Sequence, residues 1–328
     1  MSAEVTVGVT GDAPVERVGR RGTIGFWSDA LWRIRHDLTT MVALTIIGSM
    51  IVLALGADVL ADHVFKISFS KQDLLRIFER PSFANEPAFW LGADNLGRSE
   101  IVRLLYGARV SLFIGIVAAL VQLTLGLALG VSAGYFRGRW DDLVVWLIST
   151  LNGIPTIYLL IIVGLLFRLD PVSLVILIGL LGWTGEANLA RGQTFAWRER
   201  DFVVAARTIG ASPFRIMLRH IVPNILPLMI VTGMLTIGGV ILAESALSYL
   251  GFGIQPPVPS WGNMLTGATG FYYKGPHLIM VPGIAISLTV LCLYLIGDGL
   301  RDALDPRLRG SHAVKRVSLR RPPAGGRR

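Results

Sequence analysis

The chain has 328 residues, 52% hydrophobic and 16% charged, with a formal net charge of +9. Soluble domains carry about 25% charged residues, so the composition argues against a soluble enzyme and describes a membrane protein. The positive charge gathers in loops and termini between apolar runs, which makes membrane topology its first explanation and argues against a nucleic-acid-binding domain, while the single cysteine, Cys292, excludes an internal disulfide.

In chain order, the opening residues MSAEVTVGVTGDAPVERVGRRG contain no apolar run, so residues 1–38 read as a cytoplasmic tail and not as a cleavable secretory signal. Apolar runs able to cross a bilayer, about 20 residues each, follow at 40–60, 110–134, 143–167, 172–190, 226–250 and 278–297. These predict an all-α integral membrane protein of about six transmembrane helices. Residues 39–62 form the first helix, 63–108 an extracytoplasmic segment, 109–302 a domain of five helices, and 303–328 a basic cytoplasmic tail. Within the outer segment, residues 70–80 suggest a short amphipathic helix, and FWLGADNLGRSEIVRLLYGARVSL a glycine-broken turn leading into a helix with Arg98, Glu100, Arg103 and Arg109. In the second run, Gly126, Ala128, Gly130, Ala133 and Gly134 suit close helix packing. The third run contains Asn152, Gly153 and Pro155, which predict a broken helix.

Lys and Arg favour, by roughly two to one, the side that holds both termini and the 191–224 insert, so the expectation is an inner-membrane, multi-pass protein with both termini cytoplasmic.

That insert, ARGQTFAWRERDFVVAARTIGASPFRIMLRHIVPN, is the long polar stretch between two spans. Asp201 is placed to cap a helix in which Phe202, Ala205, Ala206 and Ile209 recur at helical spacing, and Gly210 suits a left-handed C-terminal cap. Ser212 and Pro213 then start a second helix over 213–221, which Pro223 is expected to end. Two small alanines beside Phe202 and Arg207 make a surface suited to docking. A helix-turn-helix with Arg215, Arg219 and His220 has similar grammar, but the insert has no room for a core of its own. A plain solvated interfacial loop is the other alternative.

Asn152, Glu186 and Glu244 lie within or near spans and are candidates for a solute pathway, although local polar groups could also satisfy the two carboxylates. Asp298, Arg301, Asp302 and Asp305 close the last span as a charge-paired surface. The lysines, Lys66, Lys71, Lys274 and Lys315, do not follow a glycine, so no P-loop exists; no paired Cys, H-E-x-x-H or nucleophile elbow occurs either. The five histidines, His36, His63, His220, His277 and His312, are scattered, and neither metal nor cofactor is expected. The two halves show no evident repetition, which weakens an inverted-repeat carrier.

The stretch VVAARTIGASPFRIMLRHIVPN resembles the cytoplasmic loop of permease subunits of ATP-binding cassette importers, a pattern of Glu-Ala-Ala, three residues, Gly and a later Pro. Ala205, Ala206, Gly210 and Pro223 match it, and Val204 stands where the Glu would be. The blocks LGADNLGRSEIVRLLYGARVSL, GYFRGRWDD, AESALSYLGFGIQPPVPSWGNML and GDGLRDALDPRL are similar, in that order, to the second permease of dipeptide, oligopeptide and nickel importers over about residues 90–309. The resemblance implies a type-1 importer permease fold, pairing with a homologous permease, two cytoplasmic ATPases that would hydrolyse ATP in place of this chain, and an extracytoplasmic substrate-binding protein. It also implies coupling to the ATPases through Phe202, Ala205, Ala206, Arg207, Gly210, Ser212, Pro213, His220 and Pro223. A stand-alone secondary transporter or channel is the alternative.

Overall fold

A computed structural model of the chain describes residues 26–304, so most of the tails expected over 1–38 and 303–328, namely residues 1–25 and 305–328 with Asp305, falls outside the described residues. Short α1 (Phe26–His36) precedes α2 (Leu38–Leu55) and the single turn α3 (Ala57–Val59). After the outer segment come α4 (Glu100–Phe136), α5 (Gly138–Asn152), α6 (Thr156–Leu166), α7 (Pro171–Gly182) and α8 (Thr184–Arg198). The insert holds α9 (Asp201–Thr208) and α10 (Pro213–Ile216), followed by α11 (Val222–Tyr249), α12 (Trp261–Met264) and α13 (His277–Leu304). No strand longer than an isolated bridge, Ala93 with Ser99, occurs among the described residues.

Four helices are long and apolar enough to cross a membrane alone: Leu38–Leu55, Glu100–Phe136, Pro213–Tyr249 and His277–Leu304. The pair α5 and α6 is bent by 72° and the pair α7 and α8 by 41°, and counting each pair as one span gives the expected six. The first bend is the predicted one, at Gly153 and Pro155. The second, beside Trp183, falls in a run expected to be continuous.

The core forms around α4. A Cβ on Gly126 would lie 2.9 Å from the Ala187 nitrogen, one on Gly130 2.3 Å from the Ala187 oxygen, and one on Gly134 2.9 Å from the Arg191 oxygen. A glycine at every turn therefore lets the α8 backbone rest directly on α4, which is how helices associate where lipid removes the hydrophobic driving force. On its other faces α4 packs against α7 and α11, burying Ile114, Ala118 and Ala119 with Leu174, Ile178 and Val240.

Two local expectations change. Residues 26–36 are a helix and not part of a tail: Ala30 packs on Ala303 and Leu304 of α13, and Asp37 then caps α2 by accepting from the Thr40 nitrogen at 3.0 Å. Residues 70–80 hold only a 3-10 turn, Leu74–Arg76, in place of an amphipathic helix. Their backbone is committed elsewhere: the nitrogens of Asp73 and Phe78 donate to the carbonyls of Gly97 and Asp94, and the Glu79 carbonyl accepts from Ala93. Asp94 organises the opposing turn, accepting from the nitrogens of Leu96 and Arg98 at 2.8 and 2.9 Å and pairing with the Arg98 guanidinium at 2.6 Å. At the connection between α6 and α7 the Asp170 carboxyl caps α7, and the Ser173 hydroxyl that donates to it holds it below the ordinary carboxylate range.

Gly130→Ala should lower the stability of the purified chain by about 1–3 kcal/mol, the usual cost of overpacking, whereas Gly48→Ala, where an added Cβ meets nothing within 4 Å, should not. Unfolding of both variants in one detergent checks this.

Candidate functional site

The insert is built by local rules. Arg200, extended at φ −72° and ψ 143°, occupies the N-cap of α9 with no side-chain bond, so Asp201 is not the cap; it sits in the first turn, where its charge favours the helix dipole. At the other end Gly210 has φ +84°, its nitrogen donates to the Arg207 carbonyl, and the Ala211 nitrogen donates to the Ala206 carbonyl. That pair of bonds is the Schellman closure that the Gly210 position predicts. Ser212 caps α10 by accepting from the Arg215 nitrogen at 3.4 Å, with Pro213 at the first helical position.

Pro223 does not end the second helix. Met217–Ile221 form a π turn in which the nitrogen of Val222 donates to the Met217 carbonyl, and Pro213–Tyr249 runs on as one long helix. The wider turn accommodates a residue that has no N–H, and the His220 carbonyl is taken up by the Asn224 side chain at 2.7 Å.

α9 has two faces. Val203 and Ala206 are buried in a cluster with Val131, Tyr135, Ala190, Ile216 and Ile221, so Ala206 anchors the helix and is turned away from any docking surface. Phe202, Ala205, Arg207 and Ile209 are exposed, Ile209 to 85%. The Phe202 ring lies between Trp197 and half-buried His220, with centroids 6.2 and 6.1 Å away. Gly210, Ser212, Pro213 and Pro223 are exposed on the same insert. Two exposed neighbours went unnoticed in the sequence, Phe214 and Leu218; they extend the apolar surface onto the second helix.

Charged contacts fix the base of the insert. The Arg198 guanidinium donates to the Tyr135 carbonyl at 2.8 Å, covering the end of α4, and Arg191 grips Asp141 of α5 with one bond of 2.7 Å. Arg137 reaches Glu199 at 3.0 Å, and Arg207 lies over the Tyr135 ring.

The three pathway candidates separate. Glu244 is wholly buried and accepts from the Ser111 and Ser248 hydroxyls at 3.0 and 2.7 Å. Ser111 in turn accepts from the Trp261 nitrogen and Ser248 from the Ile254 nitrogen, so this carboxylate ties α4, α11 and α12 together. Glu186 is also buried, accepting from the Thr236 hydroxyl of α11 at 2.7 Å. Asn152 alone is exposed; its Oδ1 accepts from the Thr184 hydroxyl at 2.9 Å across the two bends. Sequence reasoning passed over Ser111, Thr184 and Gln122, whose Nε2 donates to the Ile178 carbonyl at 3.0 Å; their only signal was a polar side chain in an apolar run. No group of three or more His, Cys, Asp or Glu suited to a metal ion occurs among the described residues.

Residues 126–310 match the family described as the binding-protein-dependent transport system inner membrane component. The chain is 33% identical over 299 residues to an oligopeptide transport system permease protein of Bacillus subtilis, covering 91% of this chain and 94% of the relative. It is 36% identical over 298 residues to a dipeptide transport system permease protein of the same organism, covering 88% of each. A glutathione transport system permease protein of Escherichia coli O157:H7 is 36% identical over 286 residues, covering 87% of this chain and 91% of the relative.

Glu244→Leu should cost about 2–4 kcal/mol, because it leaves two buried hydroxyls without an acceptor. Glu244→Gln, which keeps acceptors, should lose less. Unfolding of both variants in detergent measures the difference, and equal losses would contradict the serine cage.

Proposed function

We infer the role of the chain from the family it belongs to, the binding-protein-dependent transport system inner membrane components. It is a multi-pass permease subunit of an ATP-binding cassette importer of the peptide type. Its cargo on our reading is a di- or oligopeptide. Oligopeptide, dipeptide and glutathione appear in the names of its relatives, and all are chains of amides; nickel appears in none of the three. Its partners are a second homologous permease, two ATPases against the insert, and a substrate-binding protein on the opposite face. The insert and both termini are cytoplasmic, as the distribution of Lys and Arg supports. The membrane domain proposed for residues 109–302 takes in the outer turns of α4 as well, since that helix starts at Glu100.

One observation carries the coupling role: α9 is anchored through Val203 and Ala206 while Phe202, Ala205 and Ile209 stay open on its outer face. ATP-driven closure of the ATPases would displace that face. α10, the π turn and α11 form the single helix Pro213–Tyr249 and would carry the displacement into the membrane as a lever. Arg207, Ser212, Pro213, His220 and Pro223 shape the surface and its hinge, with Gly210 setting the angle between α9 and the lever.

A carrier working alone would need ionisable groups facing a path, and the burial of Glu186 and Glu244 in hydrogen bonds speaks against it. Purification from native membrane in mild detergent should bring down a second permease and P-loop ATPases, and the reconstituted assembly should import peptide only with ATP. A chain that emerges alone and transports on an ion gradient would overturn the proposal. Gly210→Val should insert normally and reduce uptake by about fivefold or more, since a β-branched residue at positive φ costs on the order of 1–2 kcal/mol. Undiminished uptake would remove the insert from the mechanism.

A further inference from the structure

Polar groups collect at one level of the membrane domain. Gln122 of α4, Asn152 of α5 and Thr184 of α8 each lie roughly fourteen residues, about 21 Å along the helix, from the insert-side end of their own helix, and Thr236 of α11 joins them through Glu186, two residues beyond Thr184. The Thr184 hydroxyl donates to Asn152 and the Thr236 hydroxyl to Glu186, while Gln122 abuts Gly182. Both bent spans bend at this level.

At the first bend the backbone itself is open. Residues 152–156 are exposed, Pro155 has no N–H, and α6 starts in a new direction; the Gly153 and Ile154 nitrogens take the Ser149 and Leu151 carbonyls, and the helical ladder continues no further from α5. Hydrocarbon offers no hydrogen bonds; non-helical backbone at this depth needs protein or water against it. The exposed side chain of Asn152 needs the same, because the bond from Thr184 engages its Oδ1 and not its amide NH₂.

The surface running from this point toward the insert is unlike a lipid face. Gly185, Asn188, Gly192 and Ala196 are exposed on α8 at spacings of three and four residues, hence on one side of it. A Cβ on Gly185 or Gly192 would meet nothing within 4 Å. By contrast, the exposed side chains of α6 include Ile162, Leu165 and Leu166. Asn188 stands one turn beyond Thr184, so two amides head an uncrowded wall.

We propose that Asn152 and Asn188 form a hydrogen-bonding subsite on the translocation path for amide-bearing solutes, an inference that rests on the permease function proposed above. A carboxamide both donates and accepts, so it matches the N–H and C=O of a peptide backbone. Being neutral, it takes peptides of any side-chain charge.

The test uses the full chain with Cys292→Ala, assembled with its partner subunits and binding protein in vesicles. Asn152→Cys and Asn188→Cys should each react with a charged, water-soluble methanethiosulfonate at least tenfold faster than Val52→Cys on the exposed side of α2, and transported dipeptide should slow both. The double variant Asn152→Ala with Asn188→Ala should import about 3- to 10-fold less peptide per ATP hydrolysed, the range expected for lost neutral hydrogen bonds. Cysteines no more reactive than Val52→Cys, in an assembly that imports peptide, would overturn the subsite alone and make this wall a contact with the second permease or lipid. No ATP-driven peptide import by the unsubstituted assembly would overturn the permease reading beneath it.

Discussion

Gly126, Gly130 and Gly134 let the backbone of α8 lie on α4 with no side chain between them. In a bilayer, where apolar surface gains nothing by leaving lipid, such contact is the main source of helix association. Every functional feature is referred to this seam. It places Glu186 against Gly126, within reach of Thr236 on α11, and it brings Arg198 to the carbonyls that end α4. Within the insert, α9 begins three residues later at Asp201, so its position relative to the membrane domain is set by the same contact.

Around the seam, stiffness and bending are divided among the spans. The spans made of α5 with α6 and α7 with α8 bend where Pro155 interrupts the hydrogen bonds and where Trp183 ends a helix. The span after the insert does the opposite: two prolines, Pro223 and Pro227, fall within it, yet a π turn and the Asn224 side chain keep it continuous from Pro213 to Tyr249. Under the proposed function the continuous span is the part that can transmit a push, and the bent spans carry the level at which the path opens to polar groups. Four serines surround Glu244, which ties α4, α11 and α12 together.

What the sequence made legible was set by local chemistry. Gly210 demands positive φ, Ser212 followed by Pro213 starts a helix, Pro155 breaks one, and long apolar runs span; each can be read without a neighbour. The rest depended on neighbours. The bend at Trp183 has no proline and is supported by Gln122, sixty residues away in the chain by rough count, which packs on Gly182 and bonds Ile178. Pro223 seemed to end a helix because the π turn that absorbs it has no sequence mark. Helical spacing places Ala206 on a stripe with Phe202 and Ala205 without saying which side of the stripe faces the core, and Ala206 is buried. Glu244 looked like a pathway group because its serine partners come from three separate segments.

The coupling surface is tested most directly by photo-cross-linking from α9 in the assembled, ATP-driven complex. With a benzophenone side chain placed in turn at positions 202, 205 and 209, cross-links to the ATPase subunits are expected. The same group at buried position 203 should give none. Absence of cross-links from the three exposed positions, in a complex that still transports, would contradict the central claim and leave the insert as a solvated loop.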